Sequence, residues 1–267
     1  MKILALDSSG MTASVAVAED EKLLAEYSVN YKKTHSQTLL PMLKEIADMI
    51  ELDLNTVDAI AVAGGPGSFT GLRIGSATAK GLGLALKKPL VHVPTLEGMA
   101  CNLFGTDRLI CPMMDARRDQ VYTGIYEYQD GTLAVLEDQM AVSIEEIAEK
   151  LNRYGRAVIL LGDGAAAYQE TLAKLLNVSW KMAPANLNRQ HGAAVAVRAM
   201  DYIRMGKTET AMEHQPDYLR VSQAERERSE RLGKQKEQEC SGKPAQQREQ
   251  ECSGKFIHRG EQQNDIR

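Results

Sequence analysis

Three short runs carry side chains or bare backbone suited to chemistry. Asp7-Ser8-Ser9 sets a carboxylate beside two hydroxyls, a group suited to a hydrated cation or a phosphate. The same run also reads as a turn between two strands. Gly64-Gly65-Pro66-Gly67-Ser68-Phe69-Thr70-Gly71 follows the apolar stretch Ala59–Ala63 and opens a helical pattern. Such a glycine-rich strand-to-helix turn brings bare N–H groups close to a ligand or a partner. Met114-Asp115-Ala116-Arg117-Arg118-Asp119 places Arg117 near Asp115 and Asp119, either as a turn ion pair or facing a phosphate.

Two nucleotide motifs fail on the letters. A Walker A loop needs Gly-Lys-Ser/Thr at the helix start, but Gly71 is followed by Leu72. A dinucleotide fingerprint needs glycine where Thr70 stands. What remains is a glycine turn with hydroxyls at Ser68 and Thr70, suited to capping a helix or receiving an anion. Asp7, Ser8, Ser9, Gly67 and Ser68 are therefore the candidate anion or nucleotide contacts. No Ser-Gly-Gly adenosine loop follows; Leu161-Gly162-Asp163-Gly164 is the nearest imitation. His35, His92, His191, His214 and His258 form no i, i+4 pair, so no metal site is expected from spacing.

These runs must be held by alternating strands and helices, an α/β pattern. Strands are predicted at Lys2–Leu6, Thr12–Ala18, Leu23–Val29, Ala59–Ala63, Leu90–Val93, Leu109–Met113, Val121–Tyr126 and Val158–Leu161. Helices are predicted to begin near Ser36, Gly71, Thr95, Ser143, Ala165 and Gln190. The helix over Leu72–Leu86 carries two small-residue stripes, Gly71/Gly75/Ala79/Gly83 and Ala77/Gly81/Ala85, on roughly opposite sides. One stripe should meet the chain's own sheet. The other faces a second helix, either within the chain or on a partner. The neighbouring helix over Ser36–Ile50 shows an apolar stripe at Leu39, Leu43, Ile46 and Ile50. On the interface reading, Leu39, Leu43, Ile46, Leu72, Gly75, Ala79 and Gly83 contact the partner, and Ala79→Trp breaks an assembly without unfolding the monomer.

The residues from Met1 to about Ser222 resemble the TsaB family of bacterial tRNA threonylcarbamoyladenosine synthesis. The matching stretches are Ile3-Leu4-Ala5-Leu6-Asp7-Ser8-Ser9, Thr34-His35-Ser36-Gln37 and Gly65-Pro66-Gly67-Ser68-Phe69-Thr70-Gly71-Leu72-Arg73-Ile74-Gly75. Lys80-Gly81-Leu82, Pro94-Thr95-Leu96-Glu97 and Met114-Asp115-Ala116-Arg117-Arg118 extend the match. The resemblance implies an actin/sugar-kinase/Hsp70-like (ASKHA) fold. It also implies a non-catalytic subunit supporting a TsaD-like catalytic paralogue, with a TsaE-like ATPase at their junction. Implied with it are a homodimer when alone, tRNA contact through the complex, and ATP or ADP at the junction rather than in the isolated chain. The paralogue's His-Met-Glu-Gly-His metal run corresponds here to Thr95-Leu96-Glu97-Gly98-Met99, without either imidazole. The rival reading is an enzyme acting alone, an ATP-dependent phosphotransferase or a glycoprotease-type peptidase.

The chain has 267 residues and a formal net charge of −4, which disfavours tight independent tRNA binding. Residues 1–106 are expected to form an N-terminal lobe and 107–222 a reduced second lobe. Residues 223–267 read as a low-complexity, disordered tail with few large apolar residues. That tail repeats Glu237-Gln238-Glu239-Cys240-Ser241-Gly242-Lys243 as Glu249-Gln250-Glu251-Cys252-Ser253-Gly254-Lys255. No apolar run approaches membrane-spanning length, and Cys101 and Cys111 read as reduced core thiols, so a cytoplasmic location without membrane contact is expected.

Overall fold

The computed structural model describes residues 1–32 and 34–220, so the repeated tail segment lies outside the described residues. The first half runs β1 (Lys2–Asp7), β2 (Thr12–Glu19), β3 (Lys22–Asn30), α1 (His35–Met49), β4 (Ala59–Gly65), α2 (Phe69–Leu86), β5 (Leu90–Pro94) and α3 (Thr95–Cys101). The second half repeats that order. It runs β6 (Leu109–Asp115), β7 (Gln120–Gln129), β8 (Thr132–Ser143), α4 (Ile144–Tyr154), β9 (Val158–Leu161), α5 (Asp163–Ala167), α6 (Gln169–Leu175), β10 (Trp180–Met182) and α7 (Gly192–Arg204).

Each half makes a five-stranded sheet, ordered β3-β2-β1-β4-β5 and β8-β7-β6-β9-β10. In both, the first three strands pair antiparallel and the last two add in parallel. This duplicated α/β arrangement is the actin/sugar-kinase/Hsp70-like architecture. The second half lacks no strand; its reduction lies in element length. α5 and α6 have 5 and 7 residues where α2 has 18, and β10 has 3.

The central strands β1, β4 and β9 are buried on both faces, which is why they read as apolar runs. Leu4, Leu6, Ile60 and Val62 face one core with α1; Ile3, Ala5, Ala59, Ala61 and Ala63 face another with α7. α1 lays Leu39, Met42, Leu43 and Ile46 on the first sheet, each side chain contributing about 1.5–3 kcal/mol by burial. α4 starts where Ser143 Oγ accepts the Glu146 N–H at 3.2 Å and ends at Gly155 in the left-handed region. No helix among the described residues is long and apolar enough to cross a membrane.

Of the residues expected in the second lobe, the described ones up to 220 do not all gather around the second sheet. α7 packs on β1, β2 and β5, and Glu209 forms an antiparallel bridge with Leu90. α3, conversely, touches β6, β7 and β8 as well as β4 and β5. The two helices pack on each other through a buried cluster. Arg198 on α7 donates from Nε to Glu97 Oε2 on α3 at 2.8 Å, and its Nη2 lies 2.7 Å from the same oxygen. The Tyr202 hydroxyl donates to the same oxygen at 2.9 Å.

Removing one partner from this pair leaves a buried charge. Glu97→Ala is expected to lower the unfolding free energy by about 3–5 kcal/mol in urea titrations. The paired apolar replacement Glu97→Leu/Arg198→Met should cost less; equal damage in both variants would contradict the ion-pair account.

Candidate functional site

The Asp7–Gly10 turn and the glycine run meet at the C-terminal ends of β1 and β4. Ser68 N donates to the Ser9 carbonyl at 2.6 Å, and Ser8 Oγ donates to the Gly71 carbonyl at 2.9 Å. A Cβ at Gly67 would strike the Ser9 carbonyl, one at Gly71 the Ser8 carbonyl, and one at Gly75 the Ser8 hydroxyl. The glycines therefore serve a close backbone approach within the chain. Ser68 also caps α2, accepting from Gly71 N at 3.4 Å.

Asp7 is buried, and its Oδ1 accepts from Ser9 N at 2.9 Å and Ser9 Oγ at 2.7 Å. His35 sets Nε2 2.8 Å from the Gly10 carbonyl, while its buried Nδ1 has no hydrogen-bond partner among the described residues. The five residues singled out as anion contacts, Asp7, Ser8, Ser9, Gly67 and Ser68, are thus brought together. Their hydroxyls are already engaged: Ser8 Oγ links the two turns, Ser9 Oγ bonds to Asp7 and Ser68 Oγ caps α2.

The run that begins α3 is equally committed to packing. Thr95 Oγ1 accepts the Gly65 N–H at 3.1 Å. Met99 is buried with Leu96, Ala100, Leu103 and Ile110. Glu97 is taken by Arg198 and Tyr202. At the third cluster, Asp115 Oδ1 accepts the Arg117 backbone N–H at 2.7 Å, and Arg220 Nη1 donates to the Ala116 carbonyl at 2.6 Å. Arg117, Arg118 and Asp119 all hold φ in the left-handed region, at 62°, 56° and 55°.

The seven residues assigned to a partner interface do not stand at the surface. Leu39, Leu43, Ile46, Leu72, Gly75, Ala79 and Gly83 are all buried within this chain. Ala79→Trp would accordingly disrupt the core rather than probe an assembly. The spacing located two stripes on α2 correctly, but which one meets the sheet depends on how the helix is rotated about its axis. The stripe that faces outward is Ala77, Gly81 and Ala85, and a Cβ at Gly81 would meet nothing within 4 Å. Leu84 beside it is 63% exposed; on α1, Leu40 and Met49 are 53% and 79% exposed. An open depression on α1 is lined by Pro41, Lys44, Glu45, Asp48 and Met49.

A further group was hidden from sequence spacing. His92 on β5 and Glu209 and His214 beyond α7 bring three ligand-type atoms within 4.8 Å of one another. Two histidines this far apart in the chain meet only because the segment after α7 returns to the first sheet.

A family model described as TsaD, tRNA N6-adenosine threonylcarbamoyltransferase, matches residues 22–228. The tRNA threonylcarbamoyladenosine biosynthesis protein TsaB of Bacillus subtilis is 34% identical over 228 residues, covering 84% of this chain and 96% of its own. The protein of that name from Escherichia coli K12 is 32% identical, covering 64% of this chain and 74% of its own. Among solved structures, YeaZ from Pseudomonas aeruginosa superposes with a TM-score of 0.71 at 28% identity, covering 82% of this chain and 99% of that one.

Burial raises the Asp7 carboxyl from 3.8 to about 6, although the Ser9 hydrogen bonds favour its charged form. Between those values the folded chain keeps a proton that the unfolded chain has released. Stability should therefore fall as pH rises from about 4 to about 6 and level off above, a loss of roughly 3 kcal/mol. Asp7→Asn keeps the Oδ1 acceptor and removes the titration. Urea midpoints between pH 4 and 7 should then decline less for the variant; parallel slopes would exclude this role for Asp7.

Proposed function

The chain belongs to the TsaB family, and from that membership we propose that it acts in tRNA threonylcarbamoyladenosine biosynthesis as a non-catalytic supporting subunit. Its partner is a TsaD-like catalytic paralogue, which transfers the threonylcarbamoyl group to the adenosine beside the anticodon. A TsaE-like ATPase joins at their junction. The observation that carries the reading is the outward face of α1 and α2. Helices whose inner stripes are fully used by their own sheet still present Leu40, Met49, Leu84 and the smooth Ala77/Gly81/Ala85 stripe to solvent. An interior helical glycine costs about 1 kcal/mol relative to alanine. At Gly81 nothing among the described residues crowds a side chain, so close approach by another molecule is the physical use we assign to it.

The absence of chemistry in this subunit is supported by what fills the corresponding positions. Thr95 and Met99 stand where the paralogue's metal run has imidazoles, and both serve internal contacts. Neither replaces two nitrogen ligands. Adenine nucleotide is assigned to the junction with the partners, in keeping with the engaged hydroxyls of Ser8 and Ser9. With a net charge of −4, the chain leaves most tRNA phosphate contact to its partners. Without the paralogue, the same α1/α2 face pairs with a second copy, and mixed pairs displace like pairs.

The test is threonylcarbamoylation of tRNA by the purified paralogue and ATPase, with and without this chain. Turnover should require its addition, while the chain alone stays inert; unchanged turnover would overturn the assignment. Two substitutions separate folding from pairing. Gly81→Ala should raise monomer stability by up to about 1 kcal/mol. Gly81→Trp should leave the monomer folded by circular dichroism, yet weaken pairing at least tenfold in sedimentation or calorimetry. Full pairing by Gly81→Trp would remove α2 from the interface.

A further inference from the structure

The segment after α7 carries Glu209 and His214 back against β5 and α2. Backbone bonds anchor it at both ends: Leu90 and Glu209 exchange N–H···O bonds at 2.8 and 2.9 Å, and Asp217 N donates to the Gly64 carbonyl at 2.7 Å. Within this return lie two imidazoles and a carboxylate whose ligand-type atoms are within 4.8 Å of one another. The His92 and His214 rings are 5.7 Å apart between centroids. His214 is fully buried.

The outer contacts are those that orient metal-ligating imidazoles. His214 sets Nε2 2.9 Å from the Ser76 hydroxyl, which leaves Nδ1 facing Glu209 Oε1 at 2.6 Å. His92 sets Nε2 3.2 Å from Asp217 Oδ2. Its ring rests against Gly64, where a Cβ would collide with it. Each histidine thus has an oxygen group on Nε2, and His92 also rests on the Gly64 backbone.

We propose that His92, Glu209 and His214 form a structural site for a divalent transition metal of the zinc type, with the Asp217 carboxylate as the outer partner of His92. Mixed imidazole and carboxylate donors suit zinc and its neighbours better than magnesium or calcium. Bonds of about 2.0–2.2 Å place tetrahedral donors about 3.4 Å apart, so on binding the ion replaces the proton between Glu209 Oε1 and His214 Nδ1, now 2.6 Å apart, and these two atoms separate while His92 draws in. Two carboxylates balance the charge of a divalent ion. The ion would tie the returning segment to β5 and to the Gly64–Gly65 turn from which α2 emerges. The site is separate from the Thr95–Met99 run and does not depend on the partner assignment.

The test uses the untagged full chain, stripped of metal, in a Cys240→Ser/Cys252→Ser background so that tail thiols do not contribute. Zinc chloride is titrated by calorimetry, with cobalt chloride absorption as a probe of four-coordinate geometry. One zinc per chain is expected, with affinity weakened at least tenfold by His92→Ala and by Glu209→Gln. Both variants leave buried His214 in place, and circular dichroism checks their fold. No uptake in the serine background, or uptake that survives either substitution, would overturn the proposal.

Discussion

A buried arginine on α7 and the carboxylate it meets on α3 constrain this molecule more than any surface feature. Arg198 is almost entirely removed from water, and the Glu97 carboxylate takes both its guanidinium and the Tyr202 hydroxyl. Breaking such a pair from one side is costly because the remaining charge is stranded. The geometry also has a topological consequence. α3 closes the first half yet reaches the second sheet, and α7 closes the second half yet packs on the first. The Glu97–Arg198 contact therefore links the two halves through the helices they exchange.

That exchange explains why the candidate site is so heavily committed to structure. The glycine turn approaches the Asp7–Ser9 turn closely enough that side chains at Gly67 and Gly71 would hit backbone carbonyls. The Ser8 hydroxyl is already bonded across the gap to Gly71, and the Ser9 hydroxyl is bonded within its own turn to Asp7. At the start of α3, Thr95 holds the same glycine turn through Gly65, and Met99 fills the core below.

What the frame still presents outward is α1 and α2. Their inner stripes complete the first core, and their outer faces combine small residues with isolated large apolar ones. The returning segment after α7 reinforces the other side of α2, where Ser76 meets His214. One helix is thus held from within by the sheet and from the side by a polar cluster, while its remaining face is left clear by the described residues.

Much of this was legible in the residues themselves. Ala59–Ala63 reads as a strand because both its faces are buried, and Ser143 announces α4 because its hydroxyl caps the helix. Local bonding and periodicity act within a few residues, so they leave a readable trace. β8 and β10 left little: β8 pairs with β7 across irregular registers, and β10 has 3 residues. The small-residue stripes on α2 were likewise visible, but not which of them faces the sheet, because helical spacing sets angles around an axis and not the rotation of that axis against its neighbours. Histidine spacing along the chain could not unite His92 with His214. Their meeting was decided by the return of the chain to β5, a long-range contact that no local pattern encodes.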